Sequence, residues 1–307
     1  MFEQKPKEKV KVPLKVNSDI KDMVEPIVVR RSLLRRAGMG LLAAAMVVGV
    51  VWYMFFLPPN GEDLLDDVIE VAGGLDNWNK IDEGRFTRTR YLFDEDGKVI
   101  DIQPATYFFN KGDKDFKIVI DTQTPNGEVV IGYDGDKYWA TDGGQPADPP
   151  GVARPLGMMC ESEHCTPTCA AEMAFYRFSM PFKLKDPGVI PRYTGTADLN
   201  GREMQLLEVT YDPKVGRDRW VLFVDKESKL IRKIEHYTGK DENVPPEEIY
   251  WSEHKASAGI TFSTKNTYYR SNGNKLEEYV ISDVDFISSL PEGVFHASTF
   301  DHDHAAL

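Results

Sequence analysis

Twenty-one consecutive residues, Ala37 to Leu57 (AGMGLLAAAMVVGVVWYMFFL), carry no charge and separate a basic stretch from an acidic one. A helix of that length rises about 31 Å, the thickness of one hydrocarbon core. Arg30, Arg31, Arg35 and Arg36 come just before the run, and Pro58-Pro59-Asn60-Gly61 stops it. Only the acids Glu62, Asp63, Asp66 and Asp67 follow closely. This asymmetry predicts a single transmembrane helix with its N-terminus in the cytoplasm, the four arginines and Trp52 and Tyr53 serving as membrane-interface anchors. Gly40 and Ala44 are four apart, as are Ala45 and Gly49, and they form a candidate helix-packing face. The Arg30–Arg35 stretch looks like a twin-arginine export signal, so that route of insertion stays open. The one A-x-A-like site, Ala43 to Ala45, lies inside the run, and an uncleaved anchor is expected.

Charge is divided across this span. Residues 1–36 hold six lysines and four arginines against five acids, whereas the whole chain of 307 residues carries −12. The 250 residues beyond the span therefore carry −17, which excludes nucleic acid as a natural partner. With three prolines and little apolar periodicity, the basic arm cannot bury enough surface to order itself alone.

From Gly61 the pattern turns to folded structure. Leu64, Leu65, Val68, Ile69 and Ala72 repeat at helical spacing, with Glu62 and Asp63 in the first turn and Gly73-Gly74 as the stop. Short β-branched and aromatic runs follow, separated by turn residues. They are 85–93, 116–122, 128–133, 137–141, 193–199, 203–211, 220–224, 230–237, 249–254, 260–270 and 276–286. Alternation such as Phe116/Ile118/Ile120 against Lys117/Val119/Asp121 predicts one apolar and one polar face. A second helix is expected from Pro167 to Met180, with Thr166 as N-cap. The predicted fold class is α+β: a single N-terminal transmembrane helix, then a large curved antiparallel sheet of about eleven strands, an unclosed barrel with a few helices on its concave side. The parts are a cytoplasmic basic arm (1–36), the span (37–57), a periplasmic β domain (58–300) and a tail (301–307).

The chain has no phosphate-binding loop, nucleophile elbow or zinc-protease motif. No catalytic, cofactor-binding or metal-binding residue is assigned, and no enzyme activity is expected. His236 and His254, each preceded by a glutamate, read as polar-face strand residues. All three cysteines, Cys160, Cys165 and Cys169, fall within ten residues. A disulfide among them is the default in an oxidising compartment; free thiols, or a metal held with His164, are the alternatives.

Two segments carry a resemblance. Ala72-Gly73-Gly74-Leu75-Asp76-Asn77-Trp78 and Met180-Pro181-Phe182-Lys183-Leu184-Lys185-Asp186-Pro187-Gly188-Val189 resemble the signatures of a poorly characterised bacterial family of envelope proteins. That family is similar in fold to the periplasmic lipoprotein carriers and outer-membrane lipoprotein receptors. The resemblance spans Leu64 to Phe286 and implies an unclosed barrel lidded by helices, with an apolar concave face able to hold acyl chains.

Anchor, arm and acidic domain together lead to a first expectation: a non-enzymatic accessory subunit of an inner-membrane complex, respiratory or photosynthetic. Its partners would be integral membrane subunits and membrane lipid. The alternative is a membrane-tethered lipid or lipoprotein binding or transfer protein of the envelope. Both place the chain in the bacterial inner membrane as a single-pass protein with its main domain periplasmic.

Overall fold

The structure, a computed structural model, describes residues 60–112, 116–158, 165–238, 244–270, 272–286 and 288–300. The predicted span with Gly40, Ala44, Ala45, Gly49 and its anchors lies outside these residues, as do the arm and the tail. Among the described residues no helix is long and apolar enough to cross a membrane.

The first helix, α1 (Gly61–Val71), forms where the sequence places it. Asn60 caps it by accepting the Asp63 N–H at 2.8 Å, and Leu64, Leu65, Val68 and Ile69 are its buried stripe. A four-residue turn of helix follows, α2 (Leu75–Trp78).

Thirteen antiparallel strands then build one sheet. They are β1 (Glu83–Phe93), β2 (Val99–Asn110), β3 (Lys117–Thr124), β4 (Gly127–Tyr133), β5 (Tyr138–Asp142), β6 (Gln145–Ala147), β7 (Val189–Leu199), β8 (Arg202–Tyr211), β9 (Arg219–Asp225), β10 (Ile231–Tyr237), β11 (Glu247–Ser257), β12 (Ile260–Tyr269) and β13 (Lys275–Asp285). The order is β6-β5-β4-β3-β2-β1-β13-β12-β11-β10-β9-β8-β7, so the sheet is unclosed, with β6 and β7 at its two edges. Between β6 and β7 run α3 (Pro149–Ala153), α4 (Cys169–Phe178) and a 3-10 turn, Phe182–Lys185.

The unclosed sheet with few helices agrees with the expected class, and three details are corrected. The strand count is thirteen, because β2 and β6 were not foreseen. Pro104 interrupts the β2 pattern, yet residues 99–104 pair with β1 alone and β3 joins only from Ala105, so a missing N–H is tolerated there. Likewise β6 is an edge strand with Pro146 at its centre. Second, α4 begins at Cys169 and not at Pro167. The Thr166 and Thr168 hydroxyls donate to Glu172 Oε1 (3.1 and 2.5 Å), so neither caps the backbone.

Third, the sheet does not keep one polar face. Phe86, Tyr107, Phe109, Ile118, Ile120, Val129 and Ile131 join α1, α3 and α4 in the main core. On the opposite face Phe108, Val119, Val130 and Trp139 are covered by Val294, Phe295 and Phe300 of the segment after β13. Asp121, expected in solvent, is 3% exposed.

Candidate functional site

α4 lies on the helix-facing side of the sheet, and its own rings fill the apolar interior. Phe178 stacks on Phe86 of β1 at 4.3 Å and meets Phe262 of β12 at 5.2 Å. Phe175 meets Phe109 of β2 at 4.7 Å and Phe116 at 5.2 Å. Open volume is found along the flanks of this helix.

A cavity of about 410 Å³ lies between α4 and the loop joining β8 to β9, walled by Met173, Tyr176, Val189, Tyr211 and Trp220 and rimmed by Lys183, Asp186, Arg217 and Asp218. A second, of about 550 Å³, is walled by Trp78, Phe116, Phe175 and Tyr176 and rimmed by Lys111, Lys183, Glu172 and Asp186. Tyr176, Lys183 and Asp186 border both. A larger hollow of about 800 Å³ opens beside Pro245 and Pro246, next to residues 239–243, which are outside those described.

The rims are charged for physical reasons that the partners make plain. Lys111 Nζ lies 4.6 Å from the Trp78 ring centroid and donates to the Trp78 carbonyl at 2.7 Å. Burial lowers its pKa, and the neighbouring Lys183 lowers it further against the pull of Asp82. Lys183 in turn pairs with Asp186 at 2.5 Å. Tyr176 and Tyr211 are bonded hydroxyl to hydroxyl, and burial pushes the Tyr176 phenol well above its ordinary value.

Arg177 fastens α4 to the sheet. It donates to the Tyr268 hydroxyl at 2.7 Å and to Glu247 at 2.6 Å. His236 faces this network, which corrects its expected place on a polar face: it is 5% exposed and lies flat on Trp220, with ring centroids 3.7 Å apart. Its Nε2 is 3.0 Å from Asp218 and its Nδ1 3.5 Å from Glu247. Burial alone would lower its pKa, but these two carboxylates outweigh it and the net shift is upward. For Glu247 burial is outweighed by His236 and Arg177, and its pKa is lowered.

Of the residues singled out in the sequence, Cys165 and Cys169 sit half-buried at the approach to α4. Cys160 and His164 lie outside the described residues, and with them the expected disulfide and its metal alternative. Among the described residues no group of three or more His, Cys, Asp and Glu is placed to hold a metal ion. Sequence reasoning missed Lys111, Arg177 and Glu247, whose partners are distant in the chain. What the arrangement offers is binding: aromatic walls for an apolar chain, with a rim of mixed charge for a polar head.

The fold has known counterparts. A DUF1329 family protein from Desulfovibrio piger superposes with a TM-score of 0.51 at 14% identity, over 80% of this chain and 98% of that one. A LolA superfamily protein from Nitrosomonas europaea gives 0.48 at 13% identity, over 78% and 98%. An outer membrane lipoprotein-sorting protein domain from Vibrio parahaemolyticus gives 0.46 at 13% identity, over 75% and 99%. The first superposition shows that the described domain shares the fold of that protein, an unclosed antiparallel sheet with few helices of the kind the sequence resemblance implied. Residues 159–247 match the model of a family of unknown function, DUF6503. No curated protein sequence matches the chain.

Proposed function

We propose that this chain is a membrane-tethered lipid or lipoprotein binding protein of the bacterial envelope, held in the inner membrane by residues 37–57 with the β domain on the periplasmic side. The observation that carries this reading is the pair of cavities along α4, whose aromatic walls and charged rims suit an amphiphile. Because the space under α4 is filled by Phe175 and Phe178, acyl chains would lie along the helix and not beneath it. This reverses the order expected from sequence. The accessory-subunit reading drew on the arm, the small-residue face and the acidic charge of the domain, and the described structure adds no further support to it.

The test uses Trp220, which walls the first cavity. A bromine-bearing fatty acid titrated into the full chain should quench tryptophan emission saturably, and Trp220→Phe should remove a defined part of that quenching. Quenching that never saturates, or that the substitution leaves unchanged, would count against an amphiphile in this cleft.

A further inference from the structure

Three arginines reach the helix-facing side of the sheet near the end of α4, and one of them lacks an acid. Arg90 is bonded to Glu277 at 2.7 Å, and Arg177 to Glu247 at 2.6 Å. Arg88 has no carboxylate within ion-pair distance among the described residues; its neighbours are tyrosines. Its guanidinium carbon lies 3.4 Å from the ring centroid of Tyr279, and the phenols of Tyr107 and Tyr268 are its other near neighbours.

A guanidinium has five N–H donors in a rigid fork. One phenol and one ring face leave most of them unused. A cation drawn partly out of water without a counter-charge costs stability, so pairing is the rule for such groups. Across the strand pairs Arg88 faces Ala105 on β2 and Ile281 on β13, neither of which has a polar side chain. The residue stays partly exposed, so the unused donors are open to a ligand.

Its place along β1 says what kind of ligand. Two residues earlier on the same face is Phe86, stacked between Tyr107 and Phe178 of α4. A filled apolar zone and an unmatched cation therefore follow one another at the spacing of a strand repeat, about 7 Å, so the cation stands at the border of the packed interior. We propose that Arg88, seated on Tyr279, binds the oxyanion headgroup of an amphiphile, of which phosphate is the probe. The tail in this inference rests on the lipid-binding reading above; the anion site does not.

Calorimetric titration of the full chain in nanodiscs of zwitterionic lipid tests it, using dihexanoylphosphatidylglycerol, octyl glucoside below micelle formation, and inorganic phosphate. The wild type should bind the anionic amphiphile about tenfold or more tightly than the neutral one. Arg88→Gln should erase that preference, and Arg88→Lys, which keeps the charge but loses the fork, should retain part of it. If Arg88→Gln does not fold, the Arg88→Lys comparison alone decides. Full preference in the variants, or equal binding of both amphiphiles by the wild type, overturns the anion site and leaves lipid binding standing. Arg88-dependent binding of phosphate with neither amphiphile bound would do the reverse. No binding of any probe overturns both.

Discussion

Trp78 lies face to face with Phe182, ring centroids 4.9 Å apart and planes inclined by 7°. One residue belongs to the Ala72–Trp78 segment and the other to Met180–Val189, so the two sequence signatures meet in space. Phe175 and Phe286 pack on the same indole, and Lys111 lies over its ring. Trp78→Ala should cost about 3–5 kcal/mol, as expected for a large ring removed from a packed core. Urea unfolding would show a lowered midpoint; a change under about 1 kcal/mol would mean that the signatures do not hold the corner together.

The same corner explains the glycine before it. Gly73 has φ +116°, and a Cβ there would lie 2.1 Å from the Gly259 carbonyl oxygen in the β11–β12 turn. Ala72 accepts the Thr261 N–H at 2.8 Å, so the backbones are already in contact. Gly97 also has positive φ (+80°), with nothing within 4 Å. Gly97→Ala should cost about 1 kcal/mol from backbone strain alone. Gly73→Ala should cost clearly more, because the turn must also move. Equal losses in paired denaturation curves would refute the close-approach explanation.

These residues mark how far the sequence could be read. The stripe of α1 and the turn residues between hairpins are local, and local patterning announced them. β2 was hidden because its first half pairs on one side only and leaves Ile100 and Ile102 exposed, while Pro104 mimics a breaker. The second buried face stayed invisible because its cover, Phe295 and Phe300, comes from the far end of the chain. Arg88 and Arg90 alternate with Phe86 along β1 and so share its face; that periodicity was the available signal for a cationic site inside the sheet. Nothing local marked Arg177 or Glu247, whose pairing joins residues 70 positions apart.

The two described strand histidines should act on stability with opposite signs. His236 has a raised pKa, so its native state holds the proton more tightly. Its contribution is full below the unfolded value of about 6.5 and fades as pH rises through the raised one. His254 is pushed down to about 4, by burial first and Arg232 second. Its contribution is present above about 6.5 and is lost as pH falls toward its folded pKa. His236→Gln should therefore lower the melting temperature more at about pH 5.5 than at about pH 8.5. In His254→Gln the loss of stability on acidification should flatten. Identical pH profiles for both variants and the wild type would show that neither ring titrates as its surroundings imply.

The segment after β13 should be structurally required although it forms no strand or α-helix. Trp139 of β5 donates its indole N–H to the Phe295 carbonyl at 2.8 Å, and its ring lies over Gly132, where a Cβ would come within 2.4 Å of it. Phe300 packs edge-on to Phe108 at 6.3 Å and tilted to Trp139 at 5.9 Å. Leu290 is tied to β1 by its N–H, which donates to Glu83 at 3.0 Å. Ending the chain at Ser288 would strip this cover and leave Phe108, Val119, Val130 and Trp139 as one apolar patch on the outer face. The truncated protein should melt lower, bind a hydrophobic dye and show red-shifted tryptophan emission. Phe295→Ala and Phe300→Ala, which keep the backbone, should each cost about 3 kcal/mol if the rings carry the effect. Wild-type melting in both would mean that the Trp139 hydrogen bond, not ring packing, fixes the segment.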